Sequence, residues 1–241
     1  MLQTLVVSDP LADLARLEGV PSAVASARDA VDAVLRDRGL RVVTADQTTA
    51  ALLAGARASA QLSEDPDRWL AGAVRLCTEL VGLSALVRVS PGQVVARAHA
   101  LLAYGEIPED ELGRVRPGQE VSQRMLGVTA LLTGPTTASS VVLAAVVHAE
   151  LATVAPFGDA VSGIVARAVE HMVLIAGGVD PRAAIVPEAG HLDLAEQYVR
   201  ALEGYRSGSV AGVRAWLLHC TEALARGAEA SPLAGWAGVA P

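Results

Sequence analysis

A chain of 241 residues can hold one good core, or a core with a small appendage. Because it is 52% apolar but only 3% aromatic, that core has to be built from Ala, Leu and Val, a composition that favours packed helices over a sheet. All 19 basic residues are Arg, set against 26 acids, and a net charge of −7 with no basic block disfavours nucleic acid as a partner.

The opening MLQTLVVSDP lacks the positive start and long apolar stretch of a signal peptide. Residues 21–38 repeat apolar positions at helical spacing and stop at Gly39. An Ala-rich helix is expected over 44–62, capped by Thr44 or Asp46. The turn at 63–67 follows, with Pro66 suited to a first helical position. Further helices are expected over 69–87 and 91–103, then a polar loop at 104–110 and a helix over 120–132. Residues 134–137 (GPTT) break that helix.

Ser139 or Ser140 can cap a helix over 141–153 that is apolar nearly all round and therefore central. Its run 141–147, the longest apolar stretch, is too short to span a bilayer. A second, nearly all-apolar helix is expected over 163–176, stopped at 177–181. Amphipathic helices over 192–205 and 210–226 complete the set. Strand-like pieces at 5–7 and 41–43 are too short to build a sheet. Cys77 and Cys220 have neither metal-like spacing nor a disulfide framework, which suits a reducing cytoplasm. These features predict an all-α, soluble, intracellular protein with no membrane partner. Its expected division is a helical segment over 1–55 and a helical core over 56–241.

Between the two central helices lies VAPFGDAVSGI, residues 154–164. Together with His148, seven residues before Ala155, this stretch resembles the Fic motif, HPFx(D/E)GNGRxxR. The segment from Gly190 to Gly208 and the last amphipathic helix resemble the Fic ending. RASAQLSE at 57–64 resembles the family's inhibitory helix, (S/T)xxxE(G/N). The resemblance runs from about residue 57 to residue 226. It implies a Fic/Fido-like bundle whose central antiparallel helix pair flanks a degenerate motif loop, in a bacterial cytoplasmic protein. The family's activity is protein adenylyl transfer from ATP with magnesium.

Carried over residue by residue, the motif His position is Ala155, which leaves no general base. Phe157 keeps the place of the core anchor, and Asp159 that of the magnesium ligand. Ala160, Val161 and Ser162 stand where Gly-Asn-Gly would form an anion nest. Gly163 replaces the first motif Arg and Ala166 the second, with Arg167 one place off. The inhibitory Glu position falls on Ser63, with Glu64 one residue late. Between Arg116 and His148 the expected helix leaves little room for the family's target-docking hairpin.

Removing a general base alone typically forfeits about 10²–10⁴ in rate. A nest needs unusual backbone angles that Gly adopts freely and Val only at steric cost, so Val161 argues against that shape. The leading expectation is therefore a protein without adenylyl-transferase activity. It would act as a binding or regulatory module for a protein partner or small ligand, with no cofactor. The vestigial loop would comprise Phe157, Asp159, Ala160, Val161, Ser162 and Gly163.

One alternative is altered nucleotidyl- or phosphoryl-transfer chemistry, with ATP and magnesium as cofactors and His148, Asp159 or Glu188 in acid–base roles. Another is a structural module in a homo-oligomer. On simpler readings, His148 is a hydrogen-bonded core histidine and Asp159 the N-cap of a helix beginning near Ala160. His171 is expected to be buried and hydrogen-bonded. His99, His191 and His219 show no metal or triad spacing, and Cys220 cannot share a helix face with His219. His148-Ala-Glu150 lacks the P-C-x-x-C partner of zinc deaminases.

Overall fold

The computed structural model describes residues 9–36 and 43–234. Among them are eleven α-helices and no strand, only an isolated bridge between Tyr104 and Ile107. In chain order these are α1 (Pro10–Ala15), α2 (Val20–Arg36), α3 (Ala45–Gln61), α4 (Pro66–Ser84), α5 (Pro91–Ala103) and α6 (Gln119–Thr133). After them come α7 (Ser140–Val154), α8 (Asp159–Ala176), α9 (Pro187–Asp193), α10 (Ala195–Arg206) and α11 (Val210–Glu229). A single 3-10 turn, Glu109–Glu111, interrupts the loop after α5. The stop at Gly39 and the strand-like pieces at 5–7 and 41–43 lie outside the described residues, apart from Val43.

Local chemistry accounts for several of the helix starts. Thr44 closes a capping box with Gln47 at the start of α3. Asp65 caps α4 ahead of Pro66, Ser139 caps α7, and Ser209 caps α11. Two short helices are additions to the sequence-based expectation. α1 is held by Asp9 as cap with Pro10 behind it, and α9 starts on Pro187. Neither is long enough to show a helical period. α8 begins four residues before the expected 163, and α3 runs unbroken through the boundary expected at residue 55.

α7 is buried on nearly every side and pairs along its length with α8, joined by the loop 155–158. α4 and α5 pack on α8, α6 covers α7, and α11 closes the other side, carrying α2, α9 and α10. Trp216 of α11 is fully buried and donates its indole N–H to the Ala145 carbonyl of α7 at 2.7 Å. α9 sits very close to α11: a Cβ at Gly190 would lie 1.8 Å from the Ala223 carbonyl oxygen. That approach sets His191, the next residue, against the middle of α11. No helix among the described residues is long and apolar enough to cross a membrane.

Candidate functional site

α7 ends in a left-handed residue, Ala155 (φ 46, ψ 61), whose N–H bonds the Leu151 carbonyl at 3.1 Å. The loop is pinned by Arg116, which donates its amide to the Pro156 carbonyl at 2.8 Å and its guanidinium to the Val154 carbonyl at 3.2 Å. Phe157 is half-buried and stacks on His99, with ring centroids 4.0 Å apart. As the residue in the core-anchor place it packs against the core from its edge and does not reach the middle. That place belongs to Trp216 and His148.

The expectation of Asp159 as N-cap is corrected. The N-cap of α8 is Gly158, at φ 96, and Asp159 is the exposed first helical residue, making no cap hydrogen bond. Its backbone is already helical, whereas a capping residue stands outside the helix with its side chain folded back over the free amides. The Phe157 amide bonds the Ser162 hydroxyl at 3.1 Å. Ala160, Val161, Ser162 and Gly163 are helical, so the positive-φ residues of this stretch are Ala155 and Gly158 alone.

An open cleft of about 590 Å³ adjoins this helix start. It is lined by Ser63, Glu64, Thr153, Asp159, Arg167 and Arg206, among others. The segment resembling an inhibitory helix thus does reach the loop, but Ser63 and Glu64 line the cleft and neither pairs with Arg167. Arg167 is 2% exposed, with its guanidinium turned inward. It donates to the Ser59 hydroxyl and Ser59 carbonyl at 2.9 Å each and to the Tyr198 hydroxyl at 3.2 Å.

From Tyr198 a buried hydrogen-bonded series crosses the core. Tyr198 OH lies 2.9 Å from His148 Nε2, and His148 Nδ1 lies 2.6 Å from Glu170 Oε2. His191 Nε2 reaches the same carboxylate oxygen at 2.8 Å, and His191 Nδ1 meets His219 Nε2 at 3.0 Å. One arrangement of protons satisfies the series: Tyr198 donates to His148, both His148 and His191 donate to Glu170, and His219 donates to His191. Burial pushes the His148 imidazole down to about 4 and that of His219 down to about 3. Burial pushes Glu170 the other way, but the imidazoles of His191 and His148 outweigh it and hold the carboxyl far below its usual range.

A second buried cluster sits next door. His171 Nδ1 donates to Glu188 at 3.0 Å, while its Nε2 lies 3.7 Å from Asp180, beyond a hydrogen bond. Burial opposes its charging, but the carboxylates of Glu188 and Asp180 prevail and raise His171 to about 10. Asp180 also accepts the Ala184 and Ile185 amides, folding the turn into α9.

His148 and His171 are thus the buried, hydrogen-bonded histidines that their apolar helices predict. His191 and His219 are the residues that sequence reasoning missed. They come together with His148 and Glu170 from four helices at linear separations of 21 to 28 residues, where no local spacing signals them.

Helices sleeved around the α7–α8 pair, with a loop and cleft at the start of α8, make this an all-α protein of Fic-like fold. The chain is similar to the crystal structure of a Fic family protein from Desulfovibrio desulfuricans G20, with a TM-score of 0.65 and 17% identity. The match covers 97% of this chain and 77% of that one. At that identity the likeness speaks for the fold alone. The sequence matches no protein-family model and no curated protein.

Proposed function

We propose that this Fic-fold protein has lost nucleotidyl-transfer chemistry and works as a binding or regulatory module. Its cleft at the start of α8 would take a protein partner or small ligand. The observation that carries this reading is Arg167. It is the cation nearest the second motif arginine position, and its guanidinium is spent on Ser59 and Tyr198 inside the core. Freeing it to clamp a phosphate would break three hydrogen bonds and strand buried partners, at roughly 1–3 kcal/mol for each group left unsatisfied.

Two further features support the reading. Ala155 offers no side-chain base where the family pattern has one, and the backbone from Ala160 to Gly163 is ordinary helix. Asp159 alone is a poor magnesium site, since that ion relies on one or two carboxylates plus the phosphates of a bound nucleotide. The cleft mixes Glu64 and Asp159 with Arg206, a lining suited to polar, mixed-charge contacts.

Isothermal titration with ATP and Mg²⁺ tests the proposal. No heat of binding up to millimolar nucleotide is expected; saturable binding in the micromolar range would overturn it.

A further inference from the structure

We propose that the buried group formed by His148, Glu170, His191 and Cys220 is a structural zinc site. Each residue comes from a different helix (α7, α8, α9 and α11), and one ligand atom from each lies within 4.8 Å of all the others. Two imidazole nitrogens, a carboxylate oxygen and a sulfur form the mixed set that zinc accepts, and the sulfur argues against magnesium or calcium. Four protein ligands with no open position mark a structural rather than a catalytic centre.

Three features favour a metal over a purely hydrogen-bonded core. First, the outward nitrogen of each imidazole is already held, Nε2 of His148 by Tyr198 and Nδ1 of His191 by His219. This is the support that ligating histidines require, because it fixes which nitrogen faces the ion. Second, the inward nitrogens converge on a single oxygen, Glu170 Oε2. Third, Cys220 is 2% exposed, yet among the described residues no hydrogen bond to its sulfur is found.

Bond lengths of about 2.0–2.3 Å put tetrahedral ligands roughly 3.3–3.8 Å apart, so the four atoms need to move by only about 1 Å each. From neutral imidazoles and a thiol the balance is simple. Each ligating imidazole shifts its proton from the inward to the outward nitrogen. His219 shifts its own from Nε2 to Nδ1 so that it accepts from His191, and the Tyr198 hydroxyl turns to accept from His148. Cys220 releases one proton, and Zn²⁺ takes the vacated lone pairs. Ion, thiolate and carboxylate then sum to zero charge within the core.

The site meets the cleft through Tyr198, which lines the one and supports a ligand of the other, but its metal content is read without nucleotide. Its test uses the full chain, expressed in zinc-supplemented medium and purified without chelator. Elemental analysis is expected to find one zinc per chain, and exchange for Co²⁺ to give a tetrahedral visible spectrum with a thiolate-to-cobalt charge-transfer band. Cys220→Ser should remove that band and Cys77→Ser should leave it. His219→Ala, which unseats the support of His191, should weaken the metal about 10–100-fold. A folded protein with well under one zinc per chain would overturn the proposal. So would a cobalt spectrum without the thiolate band, a measurement on the wild-type chain that does not depend on any variant folding.

Discussion

At His99 the imidazole stacks on Phe157, and its Nδ1 accepts the Gly113 amide at 3.0 Å, a bond available only to the neutral ring. Burial holds this histidine down to about 4 from an ordinary value of 6.5. The unfolded chain therefore takes up a proton at a higher pH than the folded one. The stabilisation is complete above about 6.5 and is lost as pH falls from there toward 4. His148 and His219 carry the same sign, while His171, raised to about 10, carries the opposite one and is outnumbered by the three. Urea midpoints at pH 7.5 and pH 5 should accordingly drop for the wild type. In His99→Gln, whose amide oxygen can still accept from Gly113, the drop should shrink without vanishing. An unchanged drop would mean that His99 is already free to charge in the folded state.

Two glycines inside helices separate intrinsic propensity from packing. Gly82, in α4, is exposed and has nothing within 4 Å of where its Cβ would be, so Gly82→Ala should stabilise by about 0.5–1 kcal/mol. Gly190, in α9, faces the Ala223 carbonyl at a distance no Cβ can share. Gly190→Ala should push α9 off α11 and cost about 1–3 kcal/mol, lowering Tm by roughly 2–12 °C. Denaturation of the two variants side by side checks both signs at once. The same contact explains what the sequence left illegible. Helices of 13 or more residues announced themselves by apolar period or by unbroken apolar and Ala-rich runs, and the caps at Thr44 and Ser139 followed known chemistry. α9 has seven residues, too few for a period, and its place comes from a backbone approach that only the fold defines. Without α9 on a known face, His191 had no neighbours to be assigned, and the four-helix meeting at Glu170 stayed hidden. The loop was easier: the ordered series of helix, PF loop and helix was readable. Its fine geometry was not, because whether Asp159 caps or begins α8 depends on Gly158 taking a positive φ.

Across the whole molecule, the two cysteines lie on different sides of the α7–α8 pair. Cys77 belongs to α4, which packs with α3, α5 and α8, and Cys220 belongs to α11, which packs with α2, α9 and α10 and turns that sulfur toward His148 of α7 and Glu170 of α8. Both are buried. Desolvation, helped by the Glu188 charge, pushes the Cys77 thiol up to about 11, and desolvation also raises Cys220 well above its ordinary value. Reaction with a disulfide reagent needs an exposed thiolate, so neither sulfur should react in the native protein at pH 8. If the two layers share one cooperative core through α7 and α8, both thiols become available only when the whole structure opens. In a urea series on chelator-treated protein, labelling of Cys77→Ser and Cys220→Ser variants should then rise at the same denaturant concentration as the loss of helical circular dichroism, after correcting for each variant's own midpoint. Labelling of one thiol well before the helical signal falls would show that its layer opens by itself, and that the α7–α8 pair does not bind the two halves into one folding unit.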